Sequence, residues 1–236
     1  NGQAKILQDA IDWYYNSSEQ VFEIAGDAGT GKSVLMFEIL KALKLHSYQV
    51  MPMAFTGKAA IVMRLKGFSS AKSIHSSLYE MVETKDNKIN EAFGIPYKRK
   101  EFRLREYIDP RVSLFFIDEA YMVPNYMKND ILSFGKKVIV CGDSSQLPPV
   151  GDNPAFLTGY NVHRLTELMR QAETNPIVYL ANRAKCGLPI HNGTYGSVYV
   201  GNDDEFANQM IDYADIMICG TNKTRDILNS YVRNIA

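Results

Sequence analysis

Excess charge of either sign is missing from this 236-residue sequence: Lys and Arg total 26, Asp and Glu total 26, and the formal net charge is zero. That balance excludes an indiscriminate nucleic-acid coat, which needs broad positive charge. It leaves room for a local groove that grips a strand. Cysteine is scarce as well. Cys141, Cys186 and Cys219 stand far apart with no CxxC pair, which speaks against a zinc site and reads as reduced core thiols of a cytoplasmic protein. No apolar run approaches the ~20 residues of a membrane span, and no signal peptide is visible, so no membrane partner is expected. The chain opens on Asn1 rather than Met, as a trimmed or processed chain would. What it has in quantity is apolar residues, 46% against 22% charged. That suffices for a substantial core in one large domain, or one and a half ordinary ones.

Along the chain, Asp9–Tyr15 reads as the end of an amphipathic helix, and Val21–Ala25 is a short apolar run that stops at Gly26. A glycine loop follows, then Val34–Leu45 with Leu35, Ile39 and Leu43 at helical spacing. Val50–Phe55 is the next strand, Lys58–Leu65 the next helix and Ser73–Met81 another short helix. The stretch 83–110 is polar, turn-rich and basic around Lys98, Arg99, Lys100, Arg103 and Arg105. It reads equally as a small inserted β-hairpin or as a solvated loop of mixed charge. Val112–Ile117 and Lys137–Cys141 are apolar runs that end at Asp118-Glu119 and Gly142-Asp143. Such runs are the mark of parallel strands covered on both faces. Strands alternating with helices give an α/β fold with a doubly wound parallel sheet over 1–163. From 164 the pattern restarts: a helix near Asn175–Ala184, strands at Ser197–Val200 and Asp215–Cys219, and a helix from Thr224. The range 164–236 is therefore expected to open a second α/β domain.

The chemistry concentrates in three segments. Gly26-Asp-Ala-Gly-Thr-Gly-Lys-Ser33 fits the phosphate-loop pattern at every fixed position. The backbone of Gly26, Ala28, Gly29, Thr30 and Gly31 would wrap a β-phosphate at a helix N-terminus. Lys32 would reach the β- and γ-phosphates, and the Ser33 hydroxyl would ligate Mg²⁺. Asp118 and Glu119 close a buried strand downstream. The aspartate is placed to hold Mg²⁺ and the glutamate to polarise the attacking water, although such a pair alone could simply cap the next helix. Gln146 follows another core strand, where an uncharged amide beside a γ-phosphate would position water.

Taken together, these segments resemble superfamily 1B DNA helicases, the RecD-like, Pif-like and phage Dda-like group. Gly26–Ser33 resembles motif I, Thr56-Gly-Lys-Ala-Ala60 motif Ia, Ser73-Ile-His75 motif Ib and Asp118-Glu-Ala120 motif II. Gly142–Gly151, containing Gln-Leu-Pro-Pro-Val-Gly, resembles motif III, and Leu165–Gln171 resembles motif IV. The resemblance runs from Gln3 to about Tyr231. It implies a RecA-like P-loop domain followed by the start of a second one, with ATP and Mg²⁺ as cofactors and single-stranded DNA as partner. Travel would be 5′ to 3′, with service in DNA repair or recombination, and other subunits of such a complex are possible partners. Residue by residue, Gln3 falls at the adenine-reading glutamine and Arg170 at the motif IV arginine that completes the catalytic set. Phe55, Thr56, Lys58, Ser73, His75, Asn222 and Lys223 fall in strand-contacting segments, with the 83–110 insertion where relatives carry a duplex-splitting pin. Alternatives stay open: Gln3 as a frayed terminal residue, His75 as a packed helix histidine, Phe55 as a base-stacking or a core-filling side chain.

Two departures accompany the resemblance. Phe55 replaces the usual proline of motif Ia, and Tyr121 follows Asp-Glu-Ala where a small residue is common. Motifs V and VI are not found, so the chain is expected to be a truncated motor. The rival reading from this sequence is an ATP-switched DNA-binding subunit of a larger machine, a RecBCD-type nuclease or a relaxase, without unwinding of its own.

Overall fold

The computed structural model describes residues 2–27, 29–85, 98–166, 175–201 and 214–235. The chain divides into two compact units, Asn1–Arg170 and Gln171–Ala236.

At the centre of the first unit is one sheet of six strands. These are β1 (Val21–Gly26), β2 (Val50–Ala54), β3 (Lys72–Ser73), β6 (Leu114–Asp118), β7 (Lys137–Gly142) and β8 (Val162–Leu165), in the order β3-β2-β6-β7-β1-β8. Every pairing in this sheet is parallel. Alternation along the strands sorts their side chains into two cores. Phe22, Ile24, Leu114, Phe116, Ile139 and Cys141 point to one face. There they meet α1 (Gly2–Asn16), α2 (Lys32–Ala42) and α3 (Gly57–Leu65) through Ile6, Trp13, Leu35, Ile39 and Met63. Ala25, Phe115, Ile117, Val138 and Val140 point to the other face. They are covered by α4 (Ile74–Leu78) and α5 (Asn125–Ser133) through Ile74, Leu78, Met127 and Ile131. Burial on both faces is why β6 and β7 read as unbroken apolar runs.

Chain direction is common to all six strands, so all their C-terminal ends share one edge. The register puts Ala25 beside Gly142, Ile117 beside Val140, and Ala54 beside both Asp118 and Ser73. In open α/β sheets this edge is where ligands bind.

Two expectations are corrected. The short helix over Ser73–Met81 ends at Leu78, because Tyr79 takes an extended conformation (φ −117°, ψ 155°) and starts a strand. That strand, β4 (Tyr79–Lys85), pairs antiparallel with β5 (Lys98–Leu104), so the hairpin reading of the insertion holds and the solvated-loop reading does not. Its pairing begins four residues earlier than 83, with Glu80 opposite Arg103 and Glu83 opposite Lys100, cross-strand partners of opposite sign. Arg164 and Leu165 lie in β8, hydrogen-bonded to β1, and the division falls after Arg170.

The second unit contains α6 (Pro176–Lys185), a hairpin of β9 (Gly193–Tyr195) and β10 (Val198–Val200), and α7 (Asn222–Ile235). The strand expected at Asp215–Cys219 does not form among the described residues. Ile216 and Ile218 are 74% and 95% exposed there, and an apolar run without a strand partner among the described residues has no ladder hydrogen bonds to make with them.

Candidate active site

β1 ends at Gly26, and the chain turns through the glycine loop into α2, whose first residue is Lys32. Thr30 is buried and ties the loop to itself, its hydroxyl donating to Asp27 O at 2.8 Å. The Lys32 ammonium donates to Gly26 O at 2.6 Å and Asp27 O at 2.8 Å. It thus lies across the loop mouth, where a polyphosphate would take over those contacts. Gly31 is the N-cap of α2, with φ 84° and ψ 17°, a left-handed conformation that glycine adopts without a Cβ penalty. The site is further shaped by α1. Gln3 Nε2 donates to Thr30 O at 3.2 Å, and a Cβ built on Gly31 would stand 2.7 Å from that nitrogen. Gln3 is therefore anchored on the loop, and the frayed-terminus alternative is set aside. Ala28 lies outside the described residues.

Asp118 is the last residue of β6, and Cys141 lies near the end of the adjacent β7. The Cys141 thiol donates to Asp118 Oδ1 at 3.3 Å, and Glu119 N donates to the same oxygen at 3.0 Å. Both donors fall on Oδ1, which fixes the orientation of the carboxylate. Burial, reinforced by the Asp118 charge, pushes the Cys141 thiol up, so it stays protonated and able to donate. Glu119 has φ 56° and ψ 40°, a left-handed conformation in a residue that carries a Cβ. Such conformations persist only where the surroundings hold them, and they concentrate at functional sites.

Burial raises the Glu119 carboxyl above the usual glutamate range, and the Asp118 charge adds to this. Lys32, a hydrogen bond from the Gln146 side chain, and Lys66 pull in the other direction. These relations bring Lys32, Glu119 and Gln146 into one constellation. The Gln146 turn is held from beneath by buried Asp143, whose Oδ1 accepts from Ser145 N at 2.9 Å and whose carbonyl accepts from Gln146 N at 3.2 Å. Ser33 Oγ and the Asp118 carboxylate are hard oxygen donors of the kind Mg²⁺ prefers, so the residues fit that ion. Arg170 lies outside the described residues.

The strand-contact candidates of the first unit follow the same sheet edge. Thr56 caps α3, its hydroxyl accepting from Ala59 N at 3.1 Å, and Lys58 is exposed one residue into that helix. Ser73 caps α4, accepting from Ser76 N at 3.2 Å. Phe55 is half-buried and packs against the second of the two cores. His75 is half-buried and packs on two rings, with centroids 5.3 Å from Tyr79 and 5.7 Å from Phe102. Phe102 itself is 62% exposed on the basic hairpin. Asn222 and Lys223 sit exposed at the start of α7 in the second unit.

Sequence reasoning missed three contributors. Cys141 was read only as a core thiol; the strand register that sets it beside Asp118 is the signal that finds it. Phe102 was lost in a basic stretch, although Phe among Lys and Arg is itself a cue for base stacking. Lys66 carries no motif and is found through its contact with Ser33 and its charge near Glu119.

Residues 2–187 match the family model described as AAA domain. The ATP-dependent RecD2 DNA helicase of Deinococcus radiodurans is 26% identical over 165 residues, covering 67% of this chain and 21% of that protein. An uncharacterized protein of Methanocaldococcus jannaschii is 30% identical over 153 residues, covering 58% of this chain and 12% of that one. Among solved structures, the Pif1 helicase from Bacteroides in complex with ADP-AlF3 and ssDNA superposes with a TM-score of 0.52 at 20% identity, covering 95% of this chain and 55% of that one. The Pif1 helicase from Candida albicans gives 0.51 at 19% identity, over 92% and 55%. These structural likenesses establish the fold, a P-loop α/β domain of the RecA-like kind. The chain spans about a fifth or less of the curated relatives it matches and about half of the solved ones.

Proposed function

This chain belongs to the AAA domain family, and on that premise we propose that it is the motor portion of a superfamily 1B DNA helicase, hydrolysing ATP with Mg²⁺ to move 5′ to 3′ along single-stranded DNA. The observation that carries the reading is one sheet edge with two sets of side chains on it. Lys32, Asp118, Glu119 and Gln146 end or follow β1, β6 and β7, while Thr56, Lys58, Ser73 and His75 end or follow β2 and β3. Supporting it are the RecD2 relative, a DNA helicase by name, and the Bacteroides structure, which holds a nucleotide analogue together with ssDNA.

In this reading Lys32 leaves the loop carbonyls for the β- and γ-phosphates and neutralises charge that builds on the transferred group. Glu119, tied to the Gln146 amide, orients the attacking water and accepts its proton. Mg²⁺ held by Ser33 and Asp118 would screen the phosphate oxygens. Arg170 would add the second positive charge, as an arginine finger does. Gln3, fixed on Thr30 O, would read the adenine. Asn222 and Lys223 would contact the strand from the second unit, and Phe102 would join His75 as a stacking surface on the pin. Work in a DNA repair or recombination complex of the cytoplasm fits the same reading. Among the described residues no helix is long and apolar enough to cross a membrane.

The test is phosphate release with and without single-stranded DNA, for the parent chain and Lys32→Ala. Turnover stimulated by the strand and abolished in Lys32→Ala is the expected result. Turnover indifferent to the strand would favour the ATP-switched binding subunit instead, and turnover surviving Lys32→Ala would overturn the phosphate-loop assignment.

A further inference from the structure

We propose that Lys66 is a positioning residue that competes with Mg²⁺ for Ser33 and so sets the magnesium requirement of nucleotide binding. The proposal rests on the reading of Gly26–Ser33 as a nucleotide loop and deepens it. Its basis is a contact outside every motif: Lys66 Nζ donates to Ser33 Oγ at 3.1 Å.

The surrounding packing holds that contact in place. Ser33 and Phe37 are four residues apart on α2 and share one face of the helix. The end of α3 lies across that face. Lys66 is the C-cap of α3, its N–H bonded to Val62 O and Met63 O. Gly67 has φ 107°, and a Cβ there would stand 2.9 Å from Phe37 Cζ. Phe68 stacks on Phe37 with centroids 4.3 Å apart and an interplanar angle of 19°. Lys66-Gly67-Phe68 thus meets Ser33 and Phe37 in order, and the backbone that launches Lys66 is clamped to the helix that carries Ser33.

An ammonium has donors only, so this bond uses a lone pair of the hydroxyl that a metal ion would use. Two cations drawing on one oxygen repel each other. Lys66 must therefore swing from Ser33 as the ion arrives, and the Glu119 carboxyl already feels its charge. In the absence of the ion the lysine keeps Ser33 oriented; in its presence the lysine raises the concentration of Mg²⁺ needed.

The experiment titrates Mg²⁺ into the chain with a fluorescent ADP analogue, starting in EDTA, for the parent and for Lys66→Met, Lys66→Arg and Lys66→Met in a Ser33→Ala background. Removing the charge should lower the Mg²⁺ midpoint by roughly three- to tenfold, the scale of one partly solvated like charge. Affinity in EDTA should stay within about twofold, since the lysine acts on the metal ligand. Lys66→Arg should keep the parent midpoint, and the shift should vanish without the Ser33 hydroxyl. An unchanged midpoint in Lys66→Met would overturn the competition. A raised midpoint would overturn it too, making Lys66 a phosphate ligand. If the parent bound no nucleotide in either condition, the nucleotide-loop reading itself would fall, and the proposal with it.

Discussion

Replacing Gly31 with alanine should reveal how tightly α1 is fastened over the glycine loop. The backbone at 31 is left-handed, with φ 84°, and an alanine there costs about 1–2 kcal/mol. Loss of unfolded-state freedom returns about 0.5 kcal/mol. A second component is steric. The new Cβ would lie 2.7 Å from Gln3 Nε2, so the amide must withdraw and give up its bond to Thr30 O, about 1 kcal/mol. The sum is about 2 kcal/mol in the nucleotide-free chain. Gln3→Ala alone should cost about 1 kcal/mol. In the Gln3→Ala background the steric component is already gone, and Gly31→Ala should then cost about 1 kcal/mol less than in the parent. Trp13 is the sole tryptophan of the sequence and is buried on α1, so its fluorescence in urea reports the unfolding of this unit directly. Equal costs of Gly31→Ala in the two backgrounds, within about 0.3 kcal/mol, would refute the account, because Gln3 would then not stand over the loop.

Two further outcomes are expected. Cys141→Ser, which keeps a donor for Asp118 Oδ1, should preserve most of the turnover, whereas Cys141→Val should lower kcat by roughly three- to tenfold with little change in the ATP KM; a shared loss in both variants would point to packing rather than orientation. His163 has a buried Nε2 without a hydrogen bond among the described residues, and burial lowers its pKa, with Lys5 adding and Asp9 opposing. Its folded form therefore resists the proton that the unfolded chain accepts, so its contribution to stability is full above about pH 6.5 and declines as pH falls toward the depressed value. His163→Phe, keeping the ring against Phe22, should lose less stability than the parent between pH 7.5 and 5 in urea melts; identical losses would exclude His163 as the titrating group.

The parts of the molecule legible in its sequence are those governed by local rules. Gly26–Ser33 is contiguous, and its chemistry is carried by residue order. The runs Val112–Ile117 and Lys137–Cys141 declare buried parallel strands because every side chain along them must be apolar. The hairpin was legible as a change of composition, but its start was not. Ser73–Leu78 and Tyr79–Lys85 join without a glycine or proline, so no break marks the switch from helix to strand. β8 was also hidden: four residues, Val162–Leu165, acquire strand form from pairing with β1, a non-local cause that a linear reading does not contain. The same holds within the site. Cys141 gains its meaning from a neighbouring strand, and Lys66 from a helix end that packs across α2. Neither spacing nor residue type announces such contacts.

The left-handed backbone at Glu119 bears on how variants of this chain would fare under selection. Glycine and asparagine adopt that conformation at lower cost, so a search for thermal robustness would accept them at 119. Each would discard the carboxylate that faces Lys32 and Gln146. A search for turnover would keep glutamate and tolerate about 1–3 kcal/mol of local strain. Robustness and chemistry thus pull one residue in opposite directions, and a stabilised form of this protein has to draw its gains from elsewhere in the fold.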